Sequence, residues 1–269
     1  MPEGHVIHRL ADELNAAFAG RRVRVASPQG RFAEAAERLD SMVFDAAQAY
    51  GKHLFLEFGS DIVQIHLGLI GKLRWAAPGQ PSSPETLRLR VATDDVVIEL
   101  RGPQTCALIT PDERDAVVAG LGPDPLRSDA DSELGWNRVR RSTRPIGALL
   151  MDQRVAAGVG NIYRCEVLFR AGLHPEVPGR LIDHATWQGL WDDLVALMPL
   201  GVRDGRIDTV RFEHSPEATG RPPRVDRHGG EVYVYRRAGD DCLVCGRGIS
   251  AKQLAGRNLY WCESCQPPR

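Results

Sequence analysis

Apolar residues near the start of the chain recur at helical spacing. Ile7, Leu10, Leu14 and Phe18 share one face, so residues 3–19 read as an amphipathic helix ending at Gly20. VRVASPQGRF (23–32) carries a short strand and a turn. The period then changes from 3.6 to 2. KHLFLEF (52–58), DIVQIHLGLIG (61–71), TLRLRVATD (86–94) and DVVIELRG (95–102) alternate as strands. Gly59-Ser60, Pro78-Gly79 and Asp94-Asp95 punctuate them, and Gly68 and Gly71 interrupt the second. Residues 42–109 therefore predict an all-β block, either a sandwich or a barrel.

GPDPLRSDADS (122–132) is rich in Pro, Asp and Ser and reads as a linker between domains. From Trp136 the helical period returns. RPIGALLMDQ (144–153) and NIYRCEVLFRAG (161–172) are two helix-like runs, joined by RVAAGVG. ATWQGLWDDLVALMPLG (185–201) is a third, with Trp187, Leu190, Trp191, Leu194, Leu197 and Met198 on one stripe. Residues 213–230 show no periodicity and read as a long mobile loop. The expected division is 1–121, a linker at 122–135, a helical domain at 136–235, and a small C-terminal block at 236–269.

Composition narrows the class. At 269 residues, with 43% hydrophobic and 26% charged positions, the chain reads as a globular protein of about two domains. No apolar run approaches the roughly 20 residues of a membrane span, and no leader is evident, so a cytoplasmic, bacterial-type protein is expected. The net charge of −1 conceals an asymmetry. Residues 112–134 hold seven acids and two bases; residues 136–170 hold seven Arg and two acids. A basic block beside an acidic one fits a face made for a polyanion, or a solvated charged face.

Cys242-x2-Cys245-x16-Cys262-x2-Cys265 has the spacing of a structural zinc ribbon. Two redox pairs are the alternative. Four thiolates would close the metal's shell, so one zinc would hold the fold and leave no open position for chemistry. Between the knuckles, Gly256-Arg257-Asn258 would form a hairpin tip with Arg257 facing outward. In GVGNIY (158–163) a glycine-containing turn leads into a helix, with Asn161 at the expected N-cap and free N–H groups suited to a phosphate. Cys106 and Cys165 have no partners at metal spacing and read as core or near-core residues.

The terminus carries a further candidate. Removal of Met1 would make Pro2 a free secondary amine beside the Glu3 carboxylate. A neutral amine attacks a sugar C1′ and forms an iminium. The positive end of the helix disfavours its ammonium form. Pro with an acid in the first turn is equally the ordinary grammar of a helix start.

These motifs occur together: MPEG, GKHLFLEF, HLGLIG, RPIGALLMDQRVAAGVGNIYRCEVLFRAGLHP and GRNLYWCESCQ with its four cysteines. The whole chain resembles the formamidopyrimidine-DNA glycosylase and endonuclease VIII family, and MPEG resembles the endonuclease VIII branch. The resemblance implies an α+β, multidomain fold: an N-terminal helix plus β-sandwich, a helix-two-turn-helix domain, and a C-terminal zinc ribbon, with DNA across the cleft between the lobes. It implies a bifunctional DNA glycosylase and AP lyase, with oxidised pyrimidines preferred over 8-oxoguanine and formamidopyrimidines. A non-catalytic binder of damaged DNA is the rival outside catalysis.

By resemblance, Pro2 is the nucleophile, Glu3 the general acid/base, and Lys52 a lysine that meets the phosphate near the lesion. Asn161, the backbone at Gly160, and Arg257 match phosphate clamps. Leu69 matches an apolar wedge that fills the gap left by the flipped base, with a core strand position as the alternative. Arg101 lies in the loop that contacts the opposite strand, although the family's Arg-Arg-Phe-Gly pattern is replaced by Leu100-Arg101-Gly102-Pro103-Gln104. Val6 stands where many relatives carry glutamate, so base discrimination does not transfer. Cys242, Cys245, Cys262 and Cys265 match the zinc ligands. The implied partner is damaged double-stranded DNA, bound by a monomer with no nucleotide cofactor and no membrane contact.

Overall fold

In the computed structural model, residues 2–79, 83–226 and 230–268 are described. The chain divides into two compact units, Met1–Gly120 and Leu121–Arg269.

The first unit opens with helix α1, Gly4–Phe18, one residue shorter at each end than its periodicity predicts. Its buried stripe includes Ile7, Leu10, Leu14 and Phe18. Two short strands follow, β1 (Arg21–Arg22) and β2 (Arg24–Ala26), then α2 (Ala33–Leu39). The remaining strands are β3 (Val43–Phe44), β4 (Ala46–Tyr50), β5 (His53–Phe58), β6 (Asp61–His66), β7 (Lys72–Ala76), β8 (Leu87–Ala92), β9 (Val97–Arg101) and β10 (Thr105–Ile109). They build two antiparallel four-stranded sheets, in the orders β10-β6-β5-β4 and β2-β8-β9-β7.

Leu54, Leu56, Val63 and Ile65 from one sheet share a core with Leu73, Leu89, Val91, Ile98 and Leu100 from the other. No ladder joins the two sheets among the described residues, so the block is a sandwich rather than a barrel. The run 61–71, expected as one strand, ends at His66. Gly68 turns the chain at φ +67°, and Gly71 N donates to Leu67 O at 3.0 Å. A Cβ at Gly71 would lie 2.2 Å from that same oxygen, which only glycine avoids. The chain leaves this turn as β7, a strand of the opposite sheet.

Helix α3 (Pro111–Ala119) was not anticipated, because it buries no residue and its apolar stripe is weak. Local chemistry builds it instead: Thr110 and Glu113 form a reciprocal capping box, with Pro111 at its start.

The second unit contains α4 (Ser132–Val139), α5 (Ile146–Leu149), α6 (Asn161–Arg170), α7 (His184–Asp204), α8 (Pro216–Thr219), and the hairpin β11 (Ser250–Leu254) with β12 (Arg257–Trp261). Helix α4 begins inside the stretch read as a linker, with Asp131 as its cap. The run 144–153 yields one helical turn, α5, rather than a full helix. The mobile-loop reading of 213–230 also changes. Helix α8 lies within it, and Glu231 takes hydrogen bonds from Arg221 (2.5 Å) and from the Arg224 backbone (2.6 Å), closing the loop at its base. Residues 227–229 of that loop lie outside the described residues.

Helix α6 is almost wholly buried, including Arg164 and Glu166. The Glu166 carboxylate accepts from the backbone N–H groups of Tyr233 (2.7 Å), Val234 and Tyr235 (both 2.9 Å) and from the Thr209 hydroxyl (2.5 Å). These donors stand in for the water the carboxylate has lost. Glu166→Gln places an amide group against donors and should lower the unfolding free energy of the zinc-loaded protein by about 3 kcal/mol in urea titration. An unchanged midpoint would mean that apolar packing alone holds segment 233–235.

Candidate functional site

Both units present candidate groups, and each is described by itself. In the first, Asn15 fixes α1 against β4. Its side chain donates to Ala47 O at 2.9 Å and accepts from Ala47 N at 2.6 Å. Gly20 N donates to Phe44 O at 2.8 Å, so helix and strand run in opposite directions. Eleven residues back from Asn15, about 16 Å along a helix, is Gly4. Five residues on from Ala47, about 17 Å along a strand, is Lys52. The Pro2-Glu3 start of the chain is thus level with the Gly51-Lys52 turn. Glu3 is buried and occupies the N-cap position of α1, while Pro2 is half-buried.

The ladder sets the rest of this corner. His53 pairs with His66 across β5 and β6, and His66 pairs with Thr105 of β10. The Lys52 turn precedes His53 and the Gly68-Leu69-Ile70 turn follows His66, so register puts both turns at one end of the sheet. Leu69 is 56% exposed and Ile70 77%. Leu69 therefore stands on an exposed turn and not in a core strand.

The rings of His53 and His66 lie 4.9 Å apart, and Gln64 Nε2 donates to His53 Nδ1 at 3.1 Å. Burial, reinforced by His66, lowers His53 to about 4. Burial and the neighbouring Lys52 charge lower His66. Burial also lowers His5 to about 4.

Arg101 ends β9 with its guanidinium engaged. It donates to Glu99 Oε2 at 3.0 Å, and to Ser83 O and Thr86 Oγ1 at 2.7 Å each.

In the second unit, the N-cap of α6 is Gly160, and Asn161 is the first helical residue. Asn161 was expected to cap the helix with its side chain. It is instead buried, its Nδ2 donates to Asn258 O at 2.8 Å, and its Oδ1 accepts from Arg164. Arg164 also donates to Gly147 O (3.2 Å), Asn258 O (3.3 Å) and Leu254 O (3.4 Å). One buried guanidinium thereby ties α5, the start of α6 and the β11–β12 hairpin together. The sequence signal for it was a charged residue on an otherwise apolar helix, which reads equally as surface.

The hairpin turns at Ala255-Gly256, both with φ near +50 to +70°. Arg257 is consequently the first residue of β12 rather than the tip, half-buried, with its Nε buried and without a hydrogen-bond partner among the described residues.

Cys242, Cys245, Cys262 and Cys265 place their sulfurs within 4.8 Å of one another. The pairs Cys245–Cys262 and Cys242–Cys265 are 3.5 and 3.8 Å apart, too long for a disulfide. Tetrahedral Zn–S bonds of about 2.3 Å require sulfurs about 3.8 Å apart, so the donor set fits one zinc ion.

Comparison with known proteins agrees with both units. Residues 1–110 match the formamidopyrimidine-DNA glycosylase N-terminal domain, and residues 121–212 the formamidopyrimidine-DNA glycosylase H2TH domain. Endonuclease 8 1 of Mycobacterium tuberculosis is 48% identical, covering 99% of this chain and 100% of that protein. The formamidopyrimidine-DNA glycosylase of Methylococcus capsulatus is 34% identical over 80% of this chain and 79% of its own length. Among solved structures, a complex of Lactococcus lactis Fpg with DNA containing N7-benzyl-Fapy-dG superposes with a TM-score of 0.82 at 25% identity, covering 99% of this chain and 100% of that one. The fold and these relatives define a bifunctional DNA glycosylase and AP lyase of base excision repair. The chain belongs to the formamidopyrimidine-DNA glycosylase and endonuclease VIII family.

Among the described residues, no helix is long and apolar enough to cross a membrane.

Two outcomes follow from this geometry. Elemental analysis should find one zinc per chain, and its removal should release the hairpin and abolish DNA binding; a metal-free, fully active protein would contradict the donor set. The second outcome concerns His53. Its folded pKa of about 4 lies below the ordinary 6.5, so the unfolded chain binds more protons between those values. Stability is therefore lost as pH falls through that window. His53→Gln should remove about 1 to 2 kcal/mol of the loss between pH 7 and pH 5, read from urea midpoints at the two pH values. Identical pH profiles for the two proteins would exclude a depressed His53.

Proposed function

We propose that Pro2, freed by removal of Met1, is the nucleophile on damaged double-stranded DNA, with oxidised pyrimidines as the preferred lesions. The Pro2 nitrogen attacks C1′ of the damaged nucleotide and expels the base, which leaves with a proton. Glu3 supplies and recovers protons as the sugar ring opens. The resulting iminium acidifies the C2′ proton, and its loss drives β-elimination of the 3′ phosphate, then δ-elimination of the 5′ phosphate. Extrusion of the nucleotide is required because C1′ in a stacked duplex is closed to a protein amine.

The carrying observation is the placement of Pro2 and buried Glu3 at the start of α1, level with Lys52. Lys52 meets the phosphate next to the lesion. Exposed Leu69 enters the gap in the stack. The N–H groups at the start of α6, at Gly160 and Asn161, and the Arg257 guanidinium grip flanking phosphates. The Asn161 carboxamide is occupied by Asn258 O and Arg164, so its part is to aim the helix start and hairpin together. The pyrimidine preference is supported by the likeness of the MPEG start to the endonuclease VIII branch and by the higher identity to Endonuclease 8 1, 48% against 34% for the formamidopyrimidine-DNA glycosylase of Methylococcus capsulatus. We also propose that the working protein is a monomer in the cytoplasm, associated with the nucleoid through DNA.

Borohydride trapping on an abasic-site duplex tests this reading. Pro2→Gly should abolish the trapped adduct while binding persists. Glu3→Gln should lose base excision yet retain some cleavage of preformed abasic sites, where ring opening is already complete. A normal adduct yield from protein shown by mass spectrometry to retain Met1 would exclude Pro2. Faster excision of 8-oxoguanine than of oxidised pyrimidines across a panel of damaged duplexes would reverse the substrate preference.

A further inference from the structure

The outer side of the β2-β8-β9-β7 sheet carries a groove of about 600 Å³, bordered by Ile70, Lys72, Arg74, Trp75, Glu99 and Arg101. Strand β7 is an edge of that sheet. Alternation sends Leu73 into the core and leaves Lys72 and Arg74 exposed on the other side. Lys72 lies opposite Arg101 and Arg74 opposite Glu99 in the β7–β9 ladder.

The four charged groups are not equivalent. Glu99 is buried and accepts from Arg101. Arg101 Nη1 donates to both Ser83 O and Thr86 Oγ1. That pair is internally neutral and its guanidinium is held. Lys72 and Arg74, by contrast, form no ion pair among the described residues. Lys72 lies directly across from Arg101, whose charge Glu99 already balances, so the uncompensated positive charge of the groove is that of Lys72 and Arg74, and an anion would balance it.

Topology says which anion. The Leu67–Gly71 turn carries the chain from β6, in one sheet, to β7, in the other. The Lys52 corner lies on the β5–β6 side of this turn. The groove lies on the β7–β9 side, and Ile70 is its wall nearest the turn, 3.9 Å from the position a Cβ on Gly102 would take. With Leu69 in the gap of the stack, a damaged strand held on the Lys52 side of the turn would leave its complement facing the β7–β9 side, where the groove lies.

We propose that this groove holds the phosphodiester backbone of the undamaged, complementary strand, with Lys72 and Arg74 rather than Arg101 as its contacts. The inference rests on the reading of Leu69 as the residue that enters the duplex. Backbone contacts carry no base information, so the groove sets the hold on duplex DNA and not the choice of lesion or opposite base.

The test uses the full-length, zinc-loaded protein with Lys72→Ala, Arg74→Ala and the double variant. Both side chains are exposed, so the fold is not at stake. The dissociation constant is measured against salt for a duplex carrying a tetrahydrofuran abasic analogue, and for the same damaged strand alone. The double variant should weaken duplex binding about tenfold or more and flatten the slope of log K against log salt by nearly two, with each single variant contributing about one. Binding of the single strand should change less than twofold. An unchanged duplex slope would show a solvated face and overturn the proposal. Equal losses on duplex and single strand would place the damaged strand in the groove and overturn it as well. Failure of the Pro2 reading shows elsewhere, as absence of a borohydride adduct from the unmodified enzyme, and leaves this binding comparison intact.

Discussion

Helix α6 buries two opposite charges two residues apart, and the second unit is arranged around satisfying them. Removing a carboxylate or a guanidinium from water costs several kcal/mol unless hydrogen bonds replace the lost hydration. Glu166 recovers them from three consecutive backbone N–H groups and a hydroxyl. Arg164 recovers them from three carbonyls and the Asn161 amide oxygen. Backbone partners have a consequence that side-chain partners lack. They fix the path of the chain itself, so segment 233–235 and the β11–β12 hairpin are placed by a helix that precedes them by about 70 to 90 residues.

Hairpin and helix start then act as one surface. In a two-residue hairpin the pair next to the turn is hydrogen-bonded, here Leu254 with Arg257, and the next pair is not. The carbonyl of Asn258 therefore points out of the hairpin, where Asn161 and Arg164 both reach it. Four cysteines that fit one zinc ion lie at the far end of the same small element, which the bound metal would close. Arg257 is the residue next to the Asn258 anchor, on the turn side, so its backbone has little freedom left to lose on binding. The first unit reaches stiffness differently, through a shared apolar core and the paired Asn15–Ala47 hydrogen bonds.

The parts legible in the sequence were those whose signal is periodic or stoichiometric. The stripe Ile7, Leu10, Leu14, Phe18 located α1, and two Cys-x2-Cys pairs located the metal cluster. The missed elements had other origins. Strand β7 escaped because Lys72, Arg74 and Trp75 are all exposed, leaving no clean alternation. Helix α3 rests on its cap and buries nothing. Position along the chain misled where long-range partners decide. Asn161 looks like a cap by its neighbours, yet it is turned away by a carbonyl 97 residues distant. Arg101 looks free in its loop, yet Glu99 lies two residues back on the same strand and holds it.

The corner around Lys52 shows how burial can sharpen a charge. Three histidines, His5, His53 and His66, lie in the unit that carries Pro2, and a cationic ring at the Lys52 corner would attract DNA phosphate indiscriminately. Burial keeps them neutral at physiological pH, through desolvation first and, for His66, through the nearby lysine. Lys52 is thereby left as the ammonium of that turn. The same lysine that would draw a phosphate helps keep its neighbour uncharged, so charge at this corner stays on one flexible side chain instead of spreading over a ring pair. A phosphate held by a single point charge is fixed in position but not in orientation. Within the first unit, then, the position of that charge follows from the register of β5 and β6, which sets the Lys52 turn beside the two neutral rings.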